Sequence, residues 1–260
     1  MIGAIAGDII GSVYERHRIK TKDFPLFGAG SRFTDDTVLT VALAEAILTG
    51  QDYGSLMREY CRRYPRAGYG GLFRQWAADE FAGPYNSFGN GAAMRISPVG
   101  FAFDDLGEVL ERTAHFTRIT HDHPEGVRGA QATAAAVFLA RTGSTKEQIR
   151  RHITTTFAYD LDRTLDGIRP RYRFDVTCQG SVPEAIIAFL ESSDYEDAVR
   201  NAVSLGGDSD TQACIAGGIA EAYYGGVPVC IKKAALALLD DRLRSVALGF
   251  MERFPTRRHE

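Results

Sequence analysis

The sequence lacks several features that would assign it to a specialised class of protein. Its four cysteines are far apart in 260 residues and form no C-x-x-C pair, which argues against a disulfide framework and a zinc knuckle. Its purely apolar runs, such as residues 234–239, are too short to cross a bilayer. With 33 acidic and 30 basic residues, the formal net charge is only −3, which disfavours long-range capture of nucleic acid or of anionic membranes.

The first 14 residues also lack the features of a signal peptide. They contain no basic segment, and Asp8 interrupts their apolar character. We therefore expect a cytoplasmic protein whose thiols are reduced. No linker or repeat divides the chain, and 24% charged residues is an ordinary share for an enzyme-sized domain, so we expect one domain over residues 1–260 and a monomer.

Alternating β patterns are nearly absent, and helical periodicity dominates the chain. The pattern predicts helices at residues 1–13, 35–48, 106–116, 124–141, 146–156, 183–192, 195–204, 210–224 and 228–250. The alternation of residues 171–177 predicts at most a short β-ribbon, and residues 160–175 read as a long surface loop. The sequence therefore predicts a compact all-α fold.

Glycine is in excess, at 27 residues, and its positions fall into two groups. Gly3, Gly7 and Gly11 recur every four residues on one face of the first predicted helix, which would let another helix approach closely. The other group lies in loops around residues 68–71, 89–91 and 206–207, where backbone N–H groups can point at an anion. Neither group matches a Walker loop or a strand-led G-x-G-x-x-G motif.

Two acidic segments, Thr34–Thr37 and Asp208–Thr211, begin predicted helices. Helix capping explains either segment alone. Together they offer four carboxylates, which would repel one another at close range unless cations offset them. All the donors are hard oxygens, so the expected cofactor is two Mg²⁺ ions, or Mn²⁺, and not Zn²⁺.

Three further polar residues are ambiguous when each is taken singly. Asp8 and Glu15 lie seven residues apart, on nearly the same face of the first predicted helix. Ordinary roles are a buried or capping group for Asp8 and a solvated charge for Glu15. For His121, which precedes a helix with proline at its first position, we expect a polar contact and not a metal ligand.

Six segments combine these features in order along the chain: GAIAGDIIGSVYE (3–15), FTDDT (33–37), GYGG (68–71), SFGNGAAMRISPVG (87–100), THDHP (120–124) and GGDSDTQACIAGGIAEAYYG (206–225). This set resembles the ADP-ribosylglycohydrolase family, which includes dinitrogenase-reductase-activating glycohydrolase and the ADP-ribosyl-acceptor hydrolases. The resemblance implies an orthogonal multi-helix bundle with a binuclear metal centre.

The resemblance also implies roles for individual residues. Expected metal ligands are Thr34, Asp35, Asp36, Asp208, Asp210 and Thr211, and expected catalytic residues are Glu15, Asp35 and Asp36. Expected ADP-ribose contacts are Gly68, Tyr69, Gly70, Gly71, Ser87, Phe88, Gly89, Asn90 and His121. Within that set, Phe88 would stack on adenine and His121 would approach a ribose.

The leading hypothesis is a metal-dependent hydrolase that removes ADP-ribose from a modified acceptor, which would be an ADP-ribosylated protein or a small ADP-ribose derivative. Protein arginine is favoured as the acceptor, and serine or another O-linked acceptor stays open. One alternative is a non-catalytic ADP-ribose binder or a crystallin-like structural protein. A weaker alternative is a magnesium-dependent phosphatase, since Asp208 and Asp210 form a D-x-D pair, but that motif normally follows a buried strand.

Overall fold

The computed structural model describes residues 1–256, which form an all-α fold. In that part of the chain the helices are α1 (Ile2–Gly11), α2 (Asp35–Thr49), α3 (Tyr53–Arg63), α4 (Gly71–Ala78), α5 (Gly91–Met94), α6 (Ser97–Ala102), α7 (Leu106–Thr117), α8 (Pro124–Arg141), α9 (Lys146–Phe157), α10 (Leu165–Ile168), α11 (Cys178–Leu190), α12 (Tyr195–Ser204), α13 (Ser209–Tyr223), α14 (Val229–Ala237) and α15 (Asp241–Arg253). The predicted fold class is confirmed.

Helix α13 lies at the centre of the bundle, where α1, α8, α11 and α12 pack against it. The side chains between these helices are apolar and almost fully buried, as for Ile5, Ile9, Val203, Ile215 and Ile219. Burying an aliphatic side chain of this size contributes about 2 kcal/mol. The helix that begins with the second acidic segment is therefore held firmly from several sides.

The contact between α1 and α13 depends on the glycine stripe, which is Gly3, Gly7 and Gly11. A Cβ atom at Gly7 would lie 2.0 Å from the carbonyl oxygen of Ala213, and one at Gly3 would lie 2.4 Å from that of Gly217. Neither distance is sterically allowed, so glycine is required for the two backbones to meet. The close helix contact predicted from the glycine spacing is present, and it brings Asp8 of α1 next to the start of α13.

Most predicted helices are present, with shifts at their ends. The predicted bounds 124–141 and 195–204 match α8 and α12. The first helix ends at Gly11 instead of residue 13, and residues 12–16 form turns. Helix α11 begins at Cys178, five residues before the predicted start, because Thr177 caps it by accepting a hydrogen bond from the backbone N–H of Gly180.

The prediction of one long helix over residues 228–250 was wrong, because this segment forms α14 and α15. Asp240 accepts a hydrogen bond from the backbone N–H of Leu243 at 2.9 Å and thereby starts a new helix. Asp241 adds a second acid to the first turn of α15, where the helix dipole favours negative charge. The apolar periodicity continues through this boundary, which is why it hid the break.

The prediction missed α3, α4, α5, α6 and α10, of which α5 and α10 are only about one turn long. The suggested ribbon at residues 171–177 is not a strand: residues 1–256 contain no strand, and the segment makes one isolated antiparallel bridge, from Thr177 to Gly89. The predicted loop 160–175 includes α10. Within the described part of the chain, no helix is both long and apolar enough to cross a membrane.

Candidate active site

One cavity of about 370 Å³ receives side chains from both acidic segments and from the glycine-rich loops. We call one side of it the acidic wall, which consists of Glu15, Asp35, Asp36, Asp208 and Asp210. We call the other side the loop wall, which consists of Gly68, Gly70, Gly71, Ser87, Gly89, Asn90, Gly91, Arg95 and His121. Thr211 also lines the cavity. The fold therefore joins segments that are more than 170 residues apart in sequence.

The acidic wall contains two overlapping groups of carboxylates. Oxygens of Asp36 and Asp210 lie within 4.8 Å of one another and of Asp8, and oxygens of Glu15 and Asp208 lie equally close to Asp210. Asp210 belongs to both groups because it lies in the first turn of α13, next to the end of α1 at Gly11 and close to Asp36 at the start of α2. This geometry could hold metal ions, with Asp210 shared between the two groups.

Asp8 has a different role from its neighbours, because its oxygens are already occupied. They accept hydrogen bonds from the backbone N–H groups of Thr34 (2.9 Å) and Thr37 (3.1 Å), from the Thr34 hydroxyl (2.7 Å) and from the Thr37 hydroxyl. Asp8 therefore fixes the first turn of α2 from the buried face of α1. This four-donor arrangement depends on folding, so sequence reasoning predicts only an ordinary buried or capping role for Asp8.

Asp36 has an oxygen without a partner. Its Oδ1 accepts no hydrogen bond from the protein, and the residue is only 3% exposed, so water cannot readily replace the missing partner. A buried unpartnered carboxylate oxygen is costly, and a bound cation would remove that cost. The surrounding donors are carboxylate and hydroxyl oxygens, which is the donor set that Mg²⁺ and Mn²⁺ prefer. The residues present therefore fit a divalent ion of that class.

Without a cation, Asp8 and several carboxyl groups of the acidic wall have raised pKa values. Burial raises the pKa of Asp8 to about 6. Burial and the charges of Asp8, Asp208 and Glu15 raise the pKa of Asp35 to about 7. Burial and neighbouring carboxylates also raise the pKa values of Asp36 and Asp210 well above the ordinary range. The wall is thus a set of carboxyl groups whose negative charge needs compensation.

The prediction that Glu15 lies on the first helix was wrong. It follows the end of α1 within the turns of residues 12–16, and it is partly exposed. The turns nevertheless bring its carboxylate close to those of Asp208 and Asp210. Asp35 is also partly exposed and lies beside the loop wall, since a Cβ atom at Gly68 would be 3.0 Å from its Oδ1.

The loop wall exposes backbone more than side chains. Gly70 precedes α4 without a side-chain cap, and Cβ atoms at Gly70 and Gly71 would meet nothing within 4 Å. The first N–H groups of α4 are therefore open to the cavity, and such a helix start favours anions. Asn90 connects the two walls, because its Nδ2 donates a hydrogen bond to Oδ2 of Asp208 at 2.7 Å.

His121 makes a polar contact, as predicted, and it does so with a residue that the sequence analysis missed. Its Nδ1 lies 3.2 Å from Nη2 of Arg95, which is only 1% exposed. Arg95 is the last residue of the GNGAAMR segment. That segment was part of the recognised motif, but no role was predicted for Arg95 itself. Leu72, Phe174 and Val176 also line the cavity, and no motif marked them.

Three predicted site residues do not line the cavity. Tyr69 is buried and stacks on Phe73, with ring centroids 5.2 Å apart. Phe88 is 44% exposed and contacts His123 edge-on at 5.3 Å. The Thr34 hydroxyl is engaged with Asp8 and also accepts the backbone N–H of Asp36. Their predicted contacts with adenosine and metal stay predictions.

Comparisons with known proteins show which family the chain belongs to. The sequence model of the ADP-ribosylglycohydrolase family matches residues 1–260. The chain belongs to the ADP-ribosylglycohydrolase family. Membership confirms the resemblance found in the six segments, and with it the prediction of a hydrolase that acts on ADP-ribosylated substrates.

Individual relatives are distant but cover most of the chain. It is 27% identical to ADP-ribosylhydrolase ARH3 of Mus musculus over 307 aligned positions, with 86% of this chain and 82% of the relative covered. It is 24% identical to ADP-ribosylarginine hydrolase Tri1 of Pseudomonas putida over 257 positions, with coverage of 86% and 69%.

A solved structure described as an ADP-ribosylglycohydrolase-related protein complex has a TM-score of 0.70 and 26% identity to this chain. The match covers 97% of this chain and 96% of that one.

All four cysteines are free thiols, as expected. The monomeric state, the cytoplasmic location and the single domain over residues 1–260 stay predictions.

Proposed function

We propose that this ADP-ribosylglycohydrolase family member is a metal-dependent enzyme that cleaves the glycosidic bond between ADP-ribose and a modified acceptor, with protein arginine as the favoured acceptor. The observation that carries the proposal is that an acidic wall and a loop wall line the same cavity. ADP-ribose has two chemically different ends to match them. One end is the ribose at which the acceptor is attached, and the other is the anionic diphosphate with adenosine.

The acidic wall would hold two Mg²⁺ ions, or Mn²⁺ in their place. The proposed ligands are the predicted set, Thr34, Asp35, Asp36, Asp208, Asp210 and Thr211, and the geometry adds Glu15. When bound, the ions supply Lewis-acid polarisation of water and of ribose hydroxyl groups. The unpartnered Oδ1 of Asp36 and the shared position of Asp210 are the features that support this assignment.

The chain's own carboxylates would carry the proton transfers at the scissile bond. Cleavage passes through an oxocarbenium-like state, for which one group must take a proton from the attacking water and the leaving group must receive one. Glu15 is the candidate at the rim of the acidic wall, because it is partly exposed and follows the packed end of α1. Asp36 is buried, Asp35 is partly exposed beside the loop wall, and both would orient the water and the ribose.

The loop wall would bind the remainder of ADP-ribose. The open N–H groups at the start of α4 suit the diphosphate. Gly68, Ser87 and Gly89 would contact the diphosphate and adenosine through the backbone. This division explains how a chain with a net charge of −3 takes a dianionic ligand without a basic surface.

Two observations favour arginine as the acceptor. Phe174 lines the cavity and already carries a guanidinium, since the Cζ atom of Arg18 lies 4.7 Å from the centre of its ring. Aromatic faces attract such cations. In addition, one relative is named as an ADP-ribosylarginine hydrolase. The cationic guanidinium of a modified arginine also suits the negative charge of the acidic wall, which an uncharged serine linkage does not use.

The test is release of ADP-ribose from two peptides that differ only in whether arginine or serine carries the modification. We expect faster release from the arginine peptide with Mg²⁺, loss of release after chelation, and recovery with Mg²⁺ or Mn²⁺. The control variant is Asp166→Asn, since the Asp166 side chain is exposed and far from the cavity lining. Absence of release from both peptides at millimolar metal would contradict the proposal.

The same assay separates the alternatives. Tight ADP-ribose binding without release would favour a non-catalytic binder. A phosphatase is disfavoured because Asp208 follows α12 and a short turn, and residues 1–256 hold no strand to precede its D-x-D pair. Release of inorganic phosphate from ADP-ribose or from a generic phosphomonoester would revive that alternative.

A further inference from the structure

His121 lies on the loop wall with its two ring nitrogens in different surroundings. Nδ1 lies 2.8 Å from the Thr120 hydroxyl and 3.2 Å from Nη2 of Arg95. The opposite nitrogen, Nε2, faces the loop of the GNG segment, since Cβ atoms at Gly91 and Gly89 would lie 3.4 and 3.6 Å from it. The ring therefore spans from a buried polar cluster to the cavity.

The guanidinium of Arg95 sets the direction of hydrogen bonding at Nδ1. Its Nη2 lies 3.2 Å from Nδ1 and also donates to the Thr120 hydroxyl at 2.6 Å, and that hydroxyl can either donate to Nδ1 or accept from it. A guanidinium has donors and no acceptor. A proton on Nδ1 would therefore point at the N–H group of Arg95, donor against donor.

We propose that Arg95 is a positioning residue that, through its contacts with Thr120 and Nδ1, fixes His121 as the neutral tautomer with its proton on Nε2. His121 then always presents a hydrogen-bond donor to the cavity. Burial and the Arg95 charge lower the pKa of His121 well below its ordinary value, which agrees with a neutral ring. The imidazolium form is disfavoured because it too carries a proton on Nδ1, which would face the N–H donor of Arg95.

A fixed donor at Nε2 has a consequence for the ligand. The group it meets must be an acceptor, such as a ribose or phosphate oxygen, and no proton is exchanged there, so the role is in recognition and not in acid–base catalysis. This part rests on the proposed ADP-ribose pocket. The tautomer itself does not, because every contact that fixes it lies within the protein.

The decisive experiment is nitrogen NMR of the wild-type protein labelled with ¹⁵N-histidine, without ligand, at neutral pH. The His121 signals are assigned by their absence in His121→Ala. We expect an N–H type shift for Nε2 and an unprotonated, pyridine-type shift for Nδ1. Protonation of Nδ1, in either the neutral or the charged ring, would overturn the proposal, and the tautomer is read from the wild-type protein itself.

A double-mutant cycle then separates positioning from a purely structural role. We expect Arg95→Met to lower ADP-ribose affinity by about tenfold, the value of one ordinary hydrogen bond, in the wild-type background. In the His121→Ala background the same change should have little effect, because the group through which Arg95 acts is absent. An equal loss in both backgrounds would mean that Arg95 acts on the ligand directly and would refute its positioning role.

Thr120→Val provides a milder variant that keeps Arg95 and removes the hydroxyl beside Nδ1. We expect its His121 spectrum to keep the Nε2–H tautomer, with a smaller loss of affinity than in Arg95→Met. A switch to Nδ1–H in this variant would show that Thr120, and not Arg95, selects the tautomer. If wild-type protein shows the expected tautomer but does not bind ADP-ribose, the proposed function fails while the tautomer assignment stands.

Discussion

The acidic wall and the loop wall line one cavity, yet they are built in different ways. The acidic wall consists of charged side chains at the starts of packed helices, positioned by backbone contacts such as that of Gly7 with Ala213. The loop wall consists largely of glycine backbone, where Gly70 and Gly71 face open space. One wall depends on close packing, and the other depends on the absence of side chains.

This difference has an energetic consequence. The carboxylates of the acidic wall are brought together by helix packing despite their mutual repulsion, so the metal-free wall should weaken the fold. Cβ atoms at Gly70 and Gly71 of the loop wall would meet nothing, so substitutions there should leave the fold intact while lowering affinity for ligand. Substitutions in the two walls are therefore expected to affect different measurements.

The largest effect is expected for Asp210→Asn, which removes the carboxylate shared by both acidic groups. Hydrolysis of the arginine-linked substrate should fall on the order of a thousandfold, because a cation that supplies several kcal/mol to the transition state loses a central ligand. The metal-free protein should at the same time become more stable, since a repelling charge is removed. Steady-state kinetics and thermal melts with and without Mg²⁺ measure the two effects.

A loss of activity that accompanies a loss of metal-free stability would contradict this account, because it would mean that Asp210 supports the fold directly. Asp166→Asn is the matched control, since it removes an exposed aspartate that pairs with Arg169 on the surface. It should change neither measurement.

The next largest effect is expected for Gly7→Ala on the packing beneath the acidic wall. Its Cβ would lie 2.0 Å from a backbone oxygen that cannot move without displacing α13, so the free energy of unfolding should fall by about 3 kcal/mol. Chemical denaturation measures it. Gly28→Ala is the control, because nothing lies within 4 Å of that position. Equal effects in the two variants would refute the packing role of the glycine stripe.

The stability of the metal-free protein should depend on pH in a direction set by Asp8 and the acidic wall. Asp8 and Asp35 have pKa values raised from 3.8 to about 6 and about 7, so the folded state keeps protons that the unfolded state has lost. Stability should therefore fall as pH rises from about 4 to about 7. Mg²⁺ should raise the melting temperature more at pH 7.5 than at pH 5.

Thermal melts across this range, with and without Mg²⁺, check the prediction. A metal-free melting temperature that rises steadily over the same interval would contradict the raised pKa values. Asp210→Asn should make the dependence on pH shallower, because one source of repulsion is absent.

The smallest effect is expected for Asn90→Ala, which removes the hydrogen bond that joins the two walls. The loss of this bond to Asp208 should cost about 1 kcal/mol of stability and lower activity modestly. Asn90→Asp is the sharper comparison, since it would set a carboxylate beside Asp208 and destabilise the metal-free protein more than alanine does. Identical melting temperatures for the two variants would mean that the contact between Asn90 and Asp208 does not contribute to stability.

The sequence predicted the chemistry of the cavity better than its construction. The acidic wall was predicted from Thr34–Thr37 and Asp208–Thr211, because helix capping alone does not require four carboxylates. The close α1–α13 contact was predicted from the glycine spacing, because a pattern of every fourth residue is local to one helix. The role of Asp8 could not be predicted, since it arises from donors that only meet it after folding.

The errors have equally specific causes. Glu15 was assigned to the first helix because apolar periodicity does not register the turns after Gly11. The break at Asp240 was missed because apolar residues continue in phase on both sides of it. Arg95 was passed over because its partners, Thr120 and His121, lie about 25 residues away and are brought to it only by the packing of the loop wall.

The most direct test of the two-walled cavity is a crystal structure with Mn²⁺ and ADP-ribose, in which anomalous scattering locates the metal. We expect two Mn²⁺ peaks between Asp36, Asp208 and Asp210, with the terminal ribose beside them and the diphosphate at the start of α4. Metal bound elsewhere, or a diphosphate seated among the aspartates through the metal ions, would contradict it.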